Sequence, residues 1–314
     1  MPKPLALVTR MDTQTEAMWR ETLADALPEE TILCFRDMNE AERQDTELAI
    51  VANPDPAHVA ALPNISWIHS LWAGVERLVA ELGTSAPPIV RLVDPELARA
   101  MAEAVLAWTY YLHRDMPAYR QSQTKAAWQP RDYRHPRDVT VGILGLGELG
   151  RAAAERLRGA GFNVMGWSRS PKIVDGLETL SGNGGLDHML AASDIVICLL
   201  PLTVETRGML NASRFAGMKP GASLINFARG PVIVDADLIA ALDAGRLSHA
   251  VLDVFAQEPL PDSAAFWAHP SVTVLPHISG PTDRFTAAGI VAANIRKWRQ
   301  TGAMPKTVDF QAGY

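Results

Sequence analysis

Three side chains suited to acid–base and anion chemistry occupy one kind of position in the second half of the chain, just beyond an apolar run. Arg229 follows "SLINFA", Glu258 follows "LDVFAQ" and His277 follows "VTVLP". An arginine offers a planar fork of donors that matches a carboxylate. An imidazole exchanges a proton near neutral pH, and a carboxylate beside it favours its charged form. Taken singly, a strand-end arginine is ordinarily a surface residue paired with a nearby acid, and a strand-end histidine is ordinarily structural. Their convergence argues for chemistry. In an open parallel α/β sheet the C-terminal strand ends form the ligand crevice, so three separate segments would bring an Arg, a Glu and a His to one edge.

A second motif supplies a partner for that chemistry. "GLGELG", Gly145 to Gly150, directly follows the strand-like "VTVGI" and opens the helical "LGRAAAERLRGAG", which is the context a dinucleotide-binding GxGxxG requires. Gly145 permits the tight turn, Gly147 lets the backbone approach a pyrophosphate, and Gly150 lets helix and sheet pack closely. Glu148 and Leu149 open the helix and offer their N–H groups to the anion. The next strand ends "MGWSRSPK". An enzyme using NAD would place an acid there to grip the ribose hydroxyls. This chain has Ser168, Arg169 and Ser170, with Lys172 close behind, and an arginine attracts the 2′-phosphate that an acid would repel. NADPH is the expected cofactor and NADH the alternative, in which case Arg169 simply faces water.

The elements that must position these residues read as two α/β domains. In the first hundred residues "LALVT", "TILCF", "ELAIVA", "ISWIHSL" and "PIVRLV" alternate with amphipathic stretches, and residues 94–118 form one long helical pattern. A polar, proline-rich segment follows, and then six strands in β/α rhythm from "VTVGILG" to "VTVLPHI". The expected fold is a Rossmann-type doubly wound parallel sheet over residues 103–282, plus a second, flavodoxin-like α/β substrate domain over residues 1–102. The last helical segment, "DRFTAAGIVAANIRKWRQ", would return to that substrate domain, which residues 283–314 therefore complete.

Composition excludes several other classes. A formal charge of -6, with no basic stripe, argues against nucleic acid. The opening "MPKPLALVTR" has an apolar run too short for a signal peptide, and no stretch is long enough to span a bilayer, so a cytoplasmic protein that binds no membrane is expected. Cys34 and Cys198 sit inside strand-like runs and read as buried free thiols. The eight histidines are scattered and two distant cysteines cannot make a zinc cluster, so no metal is expected. There is no G-x-S-x-G elbow.

The motifs "GLGELG", "LLPLTVETRGML", "INFARG", "LDVFAQEPLP" and "LPHISG" resemble, in order and spacing, those of the D-isomer-specific 2-hydroxyacid dehydrogenases. The "WSRS" strand end, the tryptophan before "AGVE" and the closing "GY" are most similar to the branch that reduces glyoxylate and hydroxypyruvate. The resemblance implies that Arg229 holds the substrate carboxylate and polarises its 2-oxo group, that His277 donates the proton, and that Glu258 orients His277. It further implies that Asp253 contacts the nicotinamide carboxamide and that Leu200 and Pro201 lie over the adenosine. Backbone N–H groups of Ala73, Gly74 and Val75 would bind the substrate carboxylate in a cleft between domains. Trp72 stands where the family usually has Asn, and two readings remain for it, an aromatic lid and core packing. His69 is read as a strand residue. By analogy Trp128 either reaches a partner subunit's site or anchors a homodimer contact. The activity implied is NADPH-dependent reduction of a small 2-oxo acid, with glyoxylate and hydroxypyruvate first. The alternatives are a family member using NAD or a bulkier acid, and a nicotinamide-sensing regulatory protein.

Overall fold

The computed structural model describes residues 3–310, so Gly313 and Tyr314 of the closing "GY" lie outside the described residues. The chain packs as two units, residues 1–96 with 282–314, and residues 97–281. The sequence reading had put these divisions at 102/103 and 282/283. The first division falls earlier because the helix Pro95–His113 already faces the second unit's core, where Met101, Val105 and Leu112 cluster with Val141, Ile143 and Leu157.

In the first unit, strands β1 (Leu5–Thr9), β2 (Ile32–Cys34), β3 (Leu48–Ala52), β4 (Trp67–Ser70) and β5 (Ile89–Val90) form a parallel sheet in the order β2-β1-β3-β4-β5. That is the flavodoxin-like order, which reverses between β1 and β3. Successive side chains point to opposite faces of a strand, so each central strand feeds two cores. Leu5, Leu7, Leu48 and Ile50 meet Trp19, Leu23, Val291 and Ile295 on one side. Ala6, Val8, Ala49 and Val51 meet Val59 and Leu78 on the other. This two-sided burial is why "LALVT" and "LAIVA" are apolar throughout. Val291 and Ile295 belong to the helix Arg284–Thr301, which returns to this unit as the sequence suggested. Asp283 starts that helix by accepting from the N–H groups of Phe285 and Thr286.

The second unit contains β6 (Thr140–Leu144), β7 (Asn163–Ser168), β8 (Glu178–Ser181), β9 (Ile195–Cys198), β10 (Ala222–Asn226), β11 (Leu247–Leu252) and β12 (Val272–Val274). All are parallel, in the order β12-β11-β10-β9-β6-β7-β8. Strand order reverses between β6 and β9, the position at which a doubly wound sheet binds dinucleotides. Seven strands replace the six expected. The addition is β8, an edge strand whose "ETLS" is only partly buried and so carries no apolar run. The helix expected over 94–118 is in fact two, Pro95–His113 and Met116–Thr124, parted by Asp115 at φ 55°. Cys34 and Cys198 are buried free thiols, and burial pushes them up to about 11 and about 12.

Candidate functional site

The switch point is built by the turns that leave β6 and β9. Gly145 stands at φ 103° just beyond β6, and a Cβ there would meet the Leu199 carbonyl of the turn after β9, 2.8 Å away. A Cβ on Gly150 would collide with the carbonyl of Gly145, so these two glycines are needed by the protein's own packing. Gly147 differs, because a Cβ there would meet no protein atom within 4 Å. The protein's own packing therefore does not require glycine at 147, and the space beside its backbone is open to a ligand. Gly147 precedes the helix Glu148–Gly159 without any side-chain cap, so the first N–H groups, from Glu148 and Leu149 onward, are left to an anion. This cradle fits a dinucleotide pyrophosphate. Leu200 is buried and Pro201 half-buried in the opposing turn.

The strand end after β7 splits into different roles. Ser168 is buried, and its hydroxyl donates to the Ser170 carbonyl at 2.7 Å, closing the turn. Arg169 is exposed and lies 3.7 Å from Glu205. Lys172 reaches back to the phosphate loop, where its Nζ donates to the Leu146 carbonyl at 3.0 Å; burial, reinforced by Arg151, holds its pKa below the ordinary lysine value.

The three charged residues occupy the turns after β10, β11 and β12. Asn226, fully buried at the end of β10, accepts from Ala228 N–H and donates to the Arg229 carbonyl. Its amide thereby fixes the turn that presents Arg229. Gly230 has its own reason to follow the arginine, because a Cβ there would collide with the backbone of Phe255 and Ala256. The Arg229 turn thus lies against the segment that leads into Glu258. One Glu258 oxygen accepts from Phe255 N–H at 2.9 Å and the other from His277 Nδ1 at 2.8 Å. With Nδ1 committed to a carboxylate, Nε2 is the nitrogen that can exchange a proton with a ligand.

The electrostatics follow from that pair. The Glu258 hydrogen bond raises His277 above its ordinary pKa against opposition from burial and from the Arg229 charge. For Glu258, burial pushes upward, yet the bonds from His277 and Phe255 prevail and hold it below the usual carboxylate value, with Arg229 assisting. His277 itself adopts φ 55°, a left-handed backbone that few residues other than glycine take. Asp253 holds it there, each of its oxygens accepting one N–H, from Ile278 and from Ser279, both at 2.8 Å. Asp253, which the resemblance places against the nicotinamide carboxamide, is 1% exposed, and both of its oxygens accept backbone N–H groups of the loop after His277. Its carboxylate is turned to the His277 loop, where it satisfies two adjacent backbone N–H groups, the Ser279 one buried.

In the first unit the turn after β4 carries Trp72, Ala73, Gly74 and Val75. Trp72 is half-buried and packs edge-on against Trp19 with ring centroids 5.9 Å apart, which favours the packing reading over a free lid. Val75 is buried, whereas Ala73 and Gly74 are partly exposed. His69 is wholly buried and is held by Ser70 and Asn294. Trp128 is 97% exposed. The sequence reading missed Asn226 and Glu205. A lone amide closing an apolar strand could have signalled the first, but nothing local signals the second. Among the described residues no cluster of His, Cys, Asp and Glu could hold a metal, and no helix is long and apolar enough to cross a membrane.

The model of the D-isomer specific 2-hydroxyacid dehydrogenase NAD binding domain matches residues 106–279. The chain is 36% identical over 302 residues to a glyoxylate/hydroxypyruvate reductase A of Serratia proteamaculans, covering 94% of this chain and 96% of that one. Among solved structures it is similar to a D-isomer specific 2-hydroxyacid dehydrogenase of Xanthobacter autotrophicus Py2 in complex with NADPH and MES, with TM-score 0.93, 37% identity and full coverage of both chains. It is also similar to an NADPH-dependent glyoxylate/hydroxypyruvate reductase of Sinorhizobium meliloti in complex with NADP and sulfate, with TM-score 0.91 and 33% identity over 99% of this chain and 100% of that one.

Proposed function

The chain belongs to the D-isomer specific 2-hydroxyacid dehydrogenase family, and from that premise we propose that it is an NADPH-preferring reductase of small 2-oxo acids, glyoxylate and hydroxypyruvate foremost, with His277 as proton donor. The observation that carries this reading is the His277–Glu258 hydrogen bond of 2.8 Å within the field of Arg229. A protein that only sensed a nicotinamide would have no use for a histidine whose proton affinity is raised beside an anion-binding arginine.

When bound, the nicotinamide supplies the hydride that reduces the C2 carbon of the acid. Arg229 binds the carboxylate and polarises the 2-oxo group, which also draws negative charge toward its guanidinium as the carbonyl is reduced. His277 gives its Nε2 proton to the developing alkoxide and is left neutral, with Nδ1–H still donated to Glu258. That retained bond keeps the ring in one orientation until solvent restores the Nε2 proton. In the same reading Gly145, Gly147 and the N–H groups of Glu148 and Leu149 hold the pyrophosphate, and Leu200 and Pro201 cover the adenosine. Ser168 shapes the turn from which Arg169 and Ser170 meet the 2′-phosphate, and Ala73, Gly74 and Val75, beside Trp72, offer N–H groups to the substrate carboxylate. The NADPH and NADP in the two relatives support NADPH over NADH. The exposed indole of Trp128 supports a homodimer, and two buried thiols suit the reducing cytoplasm.

The test is loss of reduced-nicotinamide absorbance when the protein meets glyoxylate or hydroxypyruvate, with NADPH and NADH run in parallel. Turnover mainly with NADPH is expected. Turnover mainly with NADH would overturn the cofactor preference alone, and no turnover of either acid would overturn the substrate assignment.

A further inference from the structure

The carboxylate opposite Arg169 belongs to neither the phosphate loop nor the proton-transfer pair. Arg169 Nη1 lies 3.7 Å from Glu205 Oε2, a contact from the turn after β7 to the loop after β9. Glu205 is held in place. Thr203 Oγ1 donates to the same Oε2 at 2.7 Å, Thr203 N–H donates to Thr206 Oγ1 at 2.8 Å, and Thr206 Oγ1 donates to the Pro201 carbonyl at 2.7 Å. The carboxylate is therefore mounted on a hydrogen-bonded turn continuous with Pro201. Both partners are more than half exposed, at 57% and 58%, so the pair contributes little to folding and its placement calls for another explanation. Lys172, the other cation in the segment, points its ammonium at the Leu146 carbonyl, which leaves Arg169 as the guanidinium facing outward.

We propose that Glu205 is a specificity-determining residue that sets the balance between NADPH and NADH by competing with the 2′-phosphate for Arg169. The inference rests on the reading of this site as one that takes NADPH. A cofactor without the phosphate leaves the Arg169–Glu205 pair undisturbed. A cofactor with it must draw Arg169 away and then sit near a like charge, which raises the free energy of the NADPH complex alone. Glu205 thus moderates a preference that Arg169 by itself would make steeper, and keeps NADH within reach as a second cofactor.

The test is direct binding of NADPH and NADH, followed by tryptophan fluorescence and calorimetry, to the wild-type protein, Glu205→Gln, Arg169→Gln and the double variant, at low and high salt. Glutamine retains the shape and can still accept from Thr203, so the fold is not at stake. Glu205→Gln is expected to tighten NADPH about three- to tenfold at low salt, to leave NADH within about twofold, and to lose most of the gain at high salt. With Arg169 already replaced, the gain should fall below about twofold. Equal effects on both cofactors, no effect, weaker NADPH binding, or an undiminished gain in the Arg169→Gln background would each overturn the proposal. A wild-type protein that binds NADH more tightly, with NADPH binding unmoved by Arg169→Gln, would instead overturn the cofactor reading on which it rests.

Discussion

His69 and His277 both stand near the C-terminal end of a parallel strand, one in each unit, and their surroundings give them opposite chemistry. His69 ends in a dry, satisfied environment. The Ser70 carbonyl can only accept, so Nδ1 carries the proton, and Nε2 accepts from the Asn294 amide. Burial pushes its pKa down to about 4, and the ring stays neutral. His277 is half-exposed and faces a carboxylate at 2.8 Å, so its charged form is favoured. The difference lies in the acceptor, a carbonyl for one ring and a carboxylate for the other, and in access to solvent. A histidine near a strand end gains or loses proton affinity through its partner and its burial.

The largest effect should separate the two rings by activity. His277→Ala is expected to lower kcat for 2-oxo acid reduction about 10²- to 10⁴-fold with dinucleotide affinity kept. His69→Asn should leave kcat per folded molecule within a few-fold and instead lower the melting temperature. Steady-state kinetics beside thermal melts checks both, and a kcat loss at His69 to match that at His277 would dissolve the contrast.

A second effect tests the buried ring through acid stability. His69 in the first unit and His249 in the second are both pushed down from 6.5 to about 4, chiefly by burial. Between these values the unfolded chain binds a proton that the folded ring refuses, so stability falls as pH drops through this window. Each ring should account for roughly 3 kcal/mol of the loss. Urea titrations from pH 7 to pH 4 should show it, and His69→Asn should flatten the limb by one ring's share. An unchanged limb would mean that His69 does not stay neutral when folded.

The smallest effect sharpens the other side. Glu258 raises His277, so Glu258→Gln should lower the His277 pKa. With His277 as the proposed proton donor, the wild-type rate of reduction should hold below the His277 pKa and fall above it. In the variant that fall should begin at lower pH. A pH profile of kcat/KM measures it, and a limb that stays in place would remove Glu258 from control of the proton.

Much of this was legible before folding, for reasons that particular residues make plain. The interior strands β1, β3, β9 and β10 announce themselves because both faces are buried and every position is apolar or nearly so. Gly145 sits between a strand and a helix and Gly150 in that helix's first turn, a context that distinguishes a dinucleotide-binding motif from a glycine-rich turn. Edge and helix-end features were not legible. β8 has a single apolar side chain, and Asp115 breaks a helix in the middle of a periodic pattern. Asp253 shows a similar limit. Nothing local in the sequence says that its two oxygens accept backbone N–H groups from residues 25 and 26 positions away.

By itself, the sequence determined the strand-and-helix rhythm, the dinucleotide loop and the identities of Arg229, Glu258 and His277, because periodicity, turn glycines and side-chain chemistry are local properties. Tertiary structure decided which acid serves which base. His277 meets Glu258 across 19 positions, while Arg169 faces Glu205 from a loop beyond the next strand in the sheet. Pairings of that kind depend on strand order and on the few ångströms separating neighbouring turns, distances that no spacing along the chain encodes.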